Sequence, residues 1–357
     1  MSTKLSVAVI FGGKSNEHEI SVRSATTIMN NLNKDKYTLL PVYITESGKW
    51  LLCETPGEIK PGIDWESSGT EVTVSFNPEQ KGLYRIVNGT YEYIKVDILF
   101  PMIHGKTGED GIVQGVCELA GLPYVGASTL SSAMCFDKAY TKIIAGSLGI
   151  KQADSIVFDS IDINKDVDVA AKKVRDKFPD SCIIKPSASG SSVGTAYVDN
   201  YDDLIVALRE ATIHSSRVIA ERCIRGRELE CGVINAPHPI ASGVGEKLFS
   251  GVVVCDYETK YNNGNLTSVL DADLPGHIKE EIQQKSIAIF NAMDCEGMAR
   301  VDFFWEENGD VIFNEINTIP GCTSLSMFPN LWLVHKNITN EQLVDYLIEN
   351  AIAKHKS

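Results

Sequence analysis

Apolar positions along this chain follow two rhythms, and the switches between them divide it into elements. Continuous apolar runs at 7–11 and 96–100 are the signature of strands buried on both faces, as in a parallel sheet. Between them, Asn16 with Glu19 three residues on predicts a capped helix start, and Ile20, Ala25, Ile28 and Met29 supply its apolar side. A strand at 37–44 then completes a βαβ unit. The stretch 46–94 is polar and weakly periodic, which predicts short strands and loops. A helix follows at 112–120, and near Gly126 the pattern changes to a helical pair at 128–135 and 137–148. Strands are expected at 181–186, 218–221 and 230–234, and a helix at 276–293. A last helix at 340–353 presents Leu343, Tyr346, Leu347 and Ala351 at helical spacing to a core. The weakly periodic segment 249–270 is long for a loop in a compact domain, which predicts a lid.

The residues from Arg300 to Asn317 read as a β-hairpin, because two β-branched and aromatic runs flank Asn308-Gly309, a two-residue turn signal. If that turn closes, Asp302 faces Glu315 and Arg300 faces Asn317, and period-two alternation puts all four on one face together with Met298, Phe304, Val311 and Phe313. Two carboxylates opposed across a ladder destabilise it unless positive charge lies between them. Mg²⁺ answers that need, since it takes one or two carboxylates and completes its shell with substrate phosphates. The alternative is a solvated polar face.

Composition narrows the classes. At 357 residues the chain exceeds one ordinary core and predicts two or three domains, and 43% hydrophobic with 22% charged residues describes a soluble globular protein. A formal net charge of −14 and a pI near 5.0 exclude a broad nucleic-acid surface. The opening residues run straight into an apolar stretch too short for a secretion signal or a membrane span, which predicts a cytoplasmic protein without membrane contact. Nine cysteines, odd in number and without a C-x-x-C pair, read as reduced packed thiols, and none of the seven histidines shows zinc spacing.

Several polar stretches carry candidate chemistry. His104 to Gly111 follows a buried strand at the end where open α/β sheets bind ligands, and is either a turn before the next helix or a substrate loop. Lys138 at a helix start is electrostatically misplaced unless a phosphate sits there. Ser187 to Gly194 lacks the Gly-Lys-Ser/Thr of a P-loop, yet its small residues let backbone N–H groups close over phosphates while Lys185 supplies a point charge; a mobile turn is the alternative. Glu17 in a first helical turn complements the helix dipole or serves a ligand.

Lys138, Lys185 with its Gly/Ser loop, Glu221 and the Arg300, Asp302, Glu315, Asn317 hairpin together resemble an ATP-grasp nucleotide site. Within that superfamily the chain resembles the D-alanine-D-alanine ligases from end to end. Five stretches carry the likeness: Gly12 to Ser21, His104 to Gly111, Lys185 to Gly194, Asp256 to Tyr261 and Asn317 to Ser326. The resemblance implies a three-domain α/β architecture with an N-terminal parallel-sheet domain at 1–127, a central ATP-grasp domain at 128–222 and a C-terminal one at 223–357. It implies ATP with two Mg²⁺ (or Mn²⁺), a homodimer, and the making of D-alanyl-D-alanine for peptidoglycan precursors. Carried over by position, Glu17 holds the ammonium of the first D-alanine, and Ser191 and Tyr261 join it in a lid linkage. Lys138 and Lys185 touch ATP phosphates, Lys260 the transferred phosphate, Glu221 the adenine side and Glu228 the ribose. Asp302, Glu315 and Asn317 ligate the metals, and Arg300 with the Gly321 N–H forms the oxyanion hole. His104 lies in a substrate loop, Ser326 takes the second substrate's carboxylate, and Met327 lines the pocket beside it.

These residue types suit phosphoryl transfer to a carboxylate followed by attack of an amine on the acylphosphate. The sequence departs from the family pattern at Met327, where Leu is usual, at Cys223, where the adenine hinge is often aromatic, and at Ala188-Ser189, where a charged pair is common. Met327 opens the alternative of a D-alanine-D-serine ligase of the vancomycin-resistance type, whereas Tyr261 is the residue of amine-accepting ligases and argues against D-lactate. A nucleotide-binding protein without catalysis is the remaining alternative, and the intact hairpin speaks against it.

Overall fold

The computed structural model describes residues 4–56, 59–60, 62–235, 238–249 and 266–356. Three sheets follow one another along the chain. The first is built from β1 (Leu5–Gly12), β2 (Tyr37–Ile44), β3 (Trp50–Cys53), β4 (Gly69–Val74), β5 (Gly82–Val87), β6 (Thr90–Lys95) and β7 (Ile98–Met102), in the order β6-β5-β4-β3-β2-β1-β7. β1 runs parallel to β2 and β7, and it is there that the continuous apolar runs sit. From β3 to β6 the sheet is an antiparallel meander, so the parallel domain expected from the sequence is parallel only around β1.

Helix α1 (His18–Asn30) begins later than expected, with Glu17 as its N-cap and no side-chain cap bond. The Asn16–Glu19 capping box does not form. Ser15 takes its place: its hydroxyl accepts from the Glu17 N–H (3.2 Å) and donates to the His104 carbonyl (2.9 Å), which ties the helix start to the loop after β7. α2 (Ile112–Leu119), α3 (Thr129–Phe136) and α4 (Lys138–Ser147) lie where the periodicity put them.

The second sheet has β8 (Ser155–Asp159), β9 (Cys182–Pro186), β10 (Ala196–Val198) and β11 (Arg217–Arg222) in the order β10-β9-β11-β8, all antiparallel. One face packs Phe158, Cys182, Ile184, Val218 and Ala220 against α5 (Ser160–Lys165), α6 (Val167–Lys177) and α7 (Tyr201–His214). The opposite face carries Lys185 and Glu221, which lie diagonally across the β9–β11 pair.

The third sheet is antiparallel, with β12 (Gly226–Asn235), β13 (Pro239–Phe249), β14 (Leu266–Val269), β15 (Met298–Glu306) and β16 (Val311–Asn317) in the order β14-β13-β12-β15-β16. Its apolar face, including Leu229, Cys231, Val301, Phe303 and Phe313, packs on α8 (Gly276–Ala292) through Ile278, Ile282, Ile289 and Phe290. α9 (Met327–Lys336) covers one end of the other face, where Gly232 and Gly245 leave room for Phe328, Trp332 and Met327. α10 (Asn340–Lys356) buries Leu343, Val344, Leu347, Ile348 and Ala351 in one core with β1 and β7; Tyr346, expected inward, is 44% exposed. Seven of the cysteines are buried free thiols.

The hairpin departs from its expected register twice, and the two departures cancel. Its turn is a three-residue loop, closed by Glu306 N–H to Asp310 O (3.0 Å) and ending in Gly309 at φ +89°, rather than the two-residue turn read from Asn308-Gly309. That shifts the pairing by one, so Phe303 faces Phe313 and Trp305 faces Val311. A bulge at Asn314 then restores it, and Asp302 faces Glu315 and Arg300 faces Asn317 as expected. Val311 and Phe313 therefore lie on the apolar face, not beside Asp302.

Candidate active site

The third sheet turns a charged face toward a cavity of about 400 Å³. Across neighbouring strands that face carries Lys247 on β13, Glu228 and Glu230 on β12, Arg300 and Asp302 on β15, and Glu315 and Asn317 on β16. Arg300 meets Asp302 bidentately (Nε–Oδ1 2.8 Å, Nη2–Oδ2 2.7 Å) and Glu230 at 3.2 Å, and Lys247 takes the other Glu230 oxygen at 2.6 Å. Asn317 donates to Asp302 at 3.1 Å. Glu230 and Lys247 escaped the sequence reading, although Glu228-Leu229-Glu230 alternates as a half-charged strand should.

Burial, together with the charges of Glu230 and Glu315, pushes the Asp302 carboxyl up to about 7 despite Arg300 beside it. Glu315 behaves in the opposite way: burial alone would raise it, but Lys138 (3.2 Å), Lys185 and Arg300 hold it at about 2. Among the described residues no group of three or more His, Cys, Asp or Glu side chains could hold a metal ion. Two facing carboxylates and an amide oxygen, all hard donors, do fit Mg²⁺ completed by phosphate oxygens.

The second sheet and α4 form the cationic wall. Lys138, the first residue of α4, reaches Glu315 and donates to the Ser189 carbonyl at 3.0 Å. Lys185 projects from β9 onto Glu221. Burial lowers Lys185, assisted by Lys142 and Lys138 and opposed by Glu221. The Gly/Ser loop after β9 is bent through two consecutive left-handed serines, Ser191 at φ +47° and Ser192 at φ +54°, a strain of the kind that collects at functional sites.

The first domain closes the remaining side through loops. Glu17 receives a short hydrogen bond from Ser191 Oγ. A Cβ on Gly105 would lie 2.3 Å from Glu17 Oε2 and one on Gly190 2.4 Å from it, so the carboxylate is gripped between glycines from two sheets' loops. Burial, and to a lesser degree Glu315, raises the Glu17 carboxyl against the pull of Ser191 and Lys138. Glu109, also missed in the sequence, lines the cavity, accepts from the Gly105 N–H (2.7 Å) and is pushed up to about 8 by burial and by Glu17.

His104 donates through Nδ1 to the Ile319 carbonyl (3.0 Å) and accepts at Nε2 from Ser24 Oγ (2.9 Å), whose oxygen in turn accepts from the Cys322 N–H (3.1 Å). Burial lowers its pKa to about 4.

Glu17, His104, Lys138, Lys185, Ser191, Glu221, Glu228, Arg300, Asp302, Glu315, Asn317 and Gly321 all line the cavity. Ser326 and Met327 stand outside its wall. Ser326 Oγ accepts from the Thr323 N–H (3.0 Å) and lies close to Gly321, while Met327 is buried with its sulfur against Gly245. α9 packs so tightly on β13 that Met327, its first side chain, lies against Gly245 rather than along the cavity wall. Lys260, Tyr261 and most of the expected lid lie outside the described residues.

Comparison with known proteins converges on one family. The family described as D-ala D-ala ligase N-terminus matches residues 6–127, and D-ala D-ala ligase C-terminus matches residues 144–349. A D-alanine-D-alanine ligase of Caldicellulosiruptor bescii is 40% identical over 356 residues, covering 99% of this chain and 97% of that one. One from Acetivibrio thermocellus is 40% identical over 370 residues, covering 99% and 98%. Among solved structures, the VanG D-Ala:D-Ser ligase of Enterococcus faecalis superposes with a TM-score of 0.88 at 35% identity, covering 98% of this chain and all of that one. The D-alanine-D-alanine ligase of Coxiella burnetii gives 0.85 at 35% identity, covering 99% and 95%.

Proposed function

The chain belongs to the D-alanine-D-alanine ligase family, and on that premise we propose that its cavity joins two D-alanines at the expense of ATP, through an acylphosphate, to make the dipeptide of peptidoglycan precursors. One observation supports this most. A single cavity is walled by phosphate-type cations and facing carboxylates at Lys138, Lys185, Asp302 and Glu315, and by the gripped Glu17–Ser191 pair, which suits an amino acid's ammonium.

The enzyme is an ATP-dependent ligase of small-molecule substrates. In the proposed reaction Glu17 holds the ammonium of the first D-alanine and so aims its carboxylate along the cavity. Lys138 and Lys185 neutralise the charge spread over the transferring phosphate, with Glu221 on the adenine side and Glu228 on the ribose. Asp302, Glu315 and Asn317 would hold two Mg²⁺, or Mn²⁺, which supply positive charge to the phosphate oxygens when bound. As the second amine attacks, Arg300 and the Gly321 N–H face the developing oxyanion. Ser326, beside Gly321, holds the acceptor carboxylate, while Lys260 serves the transferred phosphate and Tyr261 joins the Glu17–Ser191 linkage. We extend the proposal to domain limits at 127 and 222 and to a cytoplasmic homodimer, which limited proteolysis and sedimentation would test.

A second reading, D-alanine-D-serine ligation, draws support from the likeness to VanG. D-Alanine is the expected acceptor, in keeping with the relatives named D-alanine-D-alanine ligase, with measurable D-serine activity because a methyl and a hydroxymethyl side chain are hard to tell apart without a dedicated hydrogen-bond partner. Turnover of ATP with D-alanine alone and then with equal D-serine, products identified by mass, decides. Mostly D-alanyl-D-serine would favour the second reading, and no dipeptide at all would sink both.

A further inference from the structure

α4 carries a second lysine one turn beyond Lys138. Lys142 is 9% exposed, and its ammonium lies 3.0 Å from Glu221 Oε2 and 3.3 Å from the Ala153 carbonyl. Its backbone is pinned as well, since Gln152 donates to the Lys142 carbonyl at 2.6 Å. The other Glu221 oxygen is taken by Lys185. One buried carboxylate thus sits between two buried ammonium groups, and the two differ in what they face: Lys185 lines the cavity, Lys142 stands behind it.

We propose that Lys142 is a positioning residue of the nucleotide site, which keeps Glu221 ionised and in place when Lys185 leaves that carboxylate for a phosphate of the nucleotide. The inference rests on the nucleotide reading above and adds to it a division of labour. Lys185 cannot stay fully committed to Glu221 and also serve a phosphate. A buried carboxylate that loses its only cation takes up a proton or drags the cation back. With Lys142 fixed on the second oxygen, neither happens.

The charges around Glu221 are arranged for this exchange. Burial alone would raise its carboxyl, and Lys185 and Lys142 together outweigh burial and hold it low. Burial, with Lys142 and Lys138 nearby, lowers Lys185 against the pull of Glu221; a phosphate, with more charge and more acceptor oxygens, is a stronger partner for it than a carboxylate already shared. The remaining charged groups along this wall are Glu228, Arg222 and the Lys138–Glu315 pair.

The test is calorimetric titration with Mg²⁺ and a non-hydrolysable ATP analogue, in two buffers of different ionisation enthalpy, on the full-length protein. Wild type, Lys142→Gln, Glu221→Gln, the double variant and Lys142→Arg are compared. Lys142→Gln should still fold, because Lys185 remains on Glu221 without nucleotide. It should weaken binding by about tenfold or more and add close to one proton taken up per nucleotide bound, so that its affinity falls as pH rises from 6.5 to 8.5 more steeply than wild type's. In the Glu221→Gln background the same substitution should change affinity by less than about threefold, because no carboxylate is left to hold. Equal losses in both backgrounds, or wild-type affinity and proton count in Lys142→Gln, would overturn the assignment. If Lys142→Gln melts below the assay temperature, Lys142→Arg decides: affinity within about threefold of wild type supports the proposal, and a tenfold loss refutes it. Absence of analogue binding by the wild type would sink the nucleotide reading itself.

Discussion

The first and third sheets address the same cavity by opposite means. The first offers nothing from its strands: Glu17, His104 and Glu109 all come from segments that follow β1 and β7, held by glycines and by bonds such as Ser15 to His104. The third presents its groups on the strands, where the ladder spaces Glu230, Arg300, Asp302, Glu315 and Asn317 with no loop involved. Ladder positions are set by many cooperative hydrogen bonds, so they suit groups whose mutual distance matters. Loop positions are set by a few local bonds, so they suit groups that must meet a substrate arriving from solution.

That contrast predicts the largest effects on the strands. Asp302→Asn or Glu315→Gln should lower turnover by about 10³-fold or more while leaving the far-ultraviolet circular dichroism unchanged, since a lost metal ligand removes several kcal/mol of transition-state stabilisation. Near-wild-type turnover at ordinary Mg²⁺ in either variant would remove the distinction. On the loop side, Glu17→Gln should cost about 10- to 100-fold in kcat/KM for the first D-alanine, as expected for a charge-assisted bond to an ammonium. An effect confined to ATP affinity would place Glu17 elsewhere in the reaction.

The contrast also explains what could be read from residues alone. The strands and helices that were read followed from periodicity, because apolar spacing is dictated by burial whatever the partner, but α5, α6, α7, α9, β8, β10 and β13 were not read at all. The Asp302–Glu315 pairing was legible too, although the turn and the bulge at Asn314 each moved the register by one and only their sum preserved it. Glu230 and Lys247 were within reach of the same alternation. Glu109 and Lys142 were not, since nothing local marks a loop glutamate as facing a cavity or a second helix lysine as standing behind one; that depends on how three sheets are set against one another. The direction of Met327 was out of reach for a related reason: the sequence puts it next to Ser326, but Gly245 on another strand decides where its side chain goes.

Two smaller effects sharpen the loop side. His104 is neutral when folded, with a pKa lowered to about 4 by burial. Its unfolded form takes a proton near pH 6.5, so the unfolded state binds more protons between 6.5 and 4 and stability falls as pH drops through that window. The loss should reach about 3 kcal/mol more in the wild type than in His104→Gln, followed by urea denaturation at each pH. Parallel curves would show that His104 is not the titrating group. Smallest of all, Met327→Leu should change the ratio of D-alanine to D-serine incorporated by less than about threefold, because a buried volume-conserving exchange leaves the cavity wall alone. A larger change in a competition assay would bring Met327 back to the acceptor.

The hydrogen-bond chain from Ile319 through His104 and Ser24 to Cys322 ties the segment around Gly321 to the loop after β7 and to α1, beside the first sheet. Gly321 lies between two residues of that chain, Ile319 and Cys322. The direction of its N–H is a gauge of how the N-terminal domain is seated, and parting the two by an ångström or two would turn that donor away from any oxyanion. In the proposed reaction, product escape and loss of acyl-transfer competence would then be one movement: a molecule open enough to release a dipeptide would be unable to make the next one until it shut.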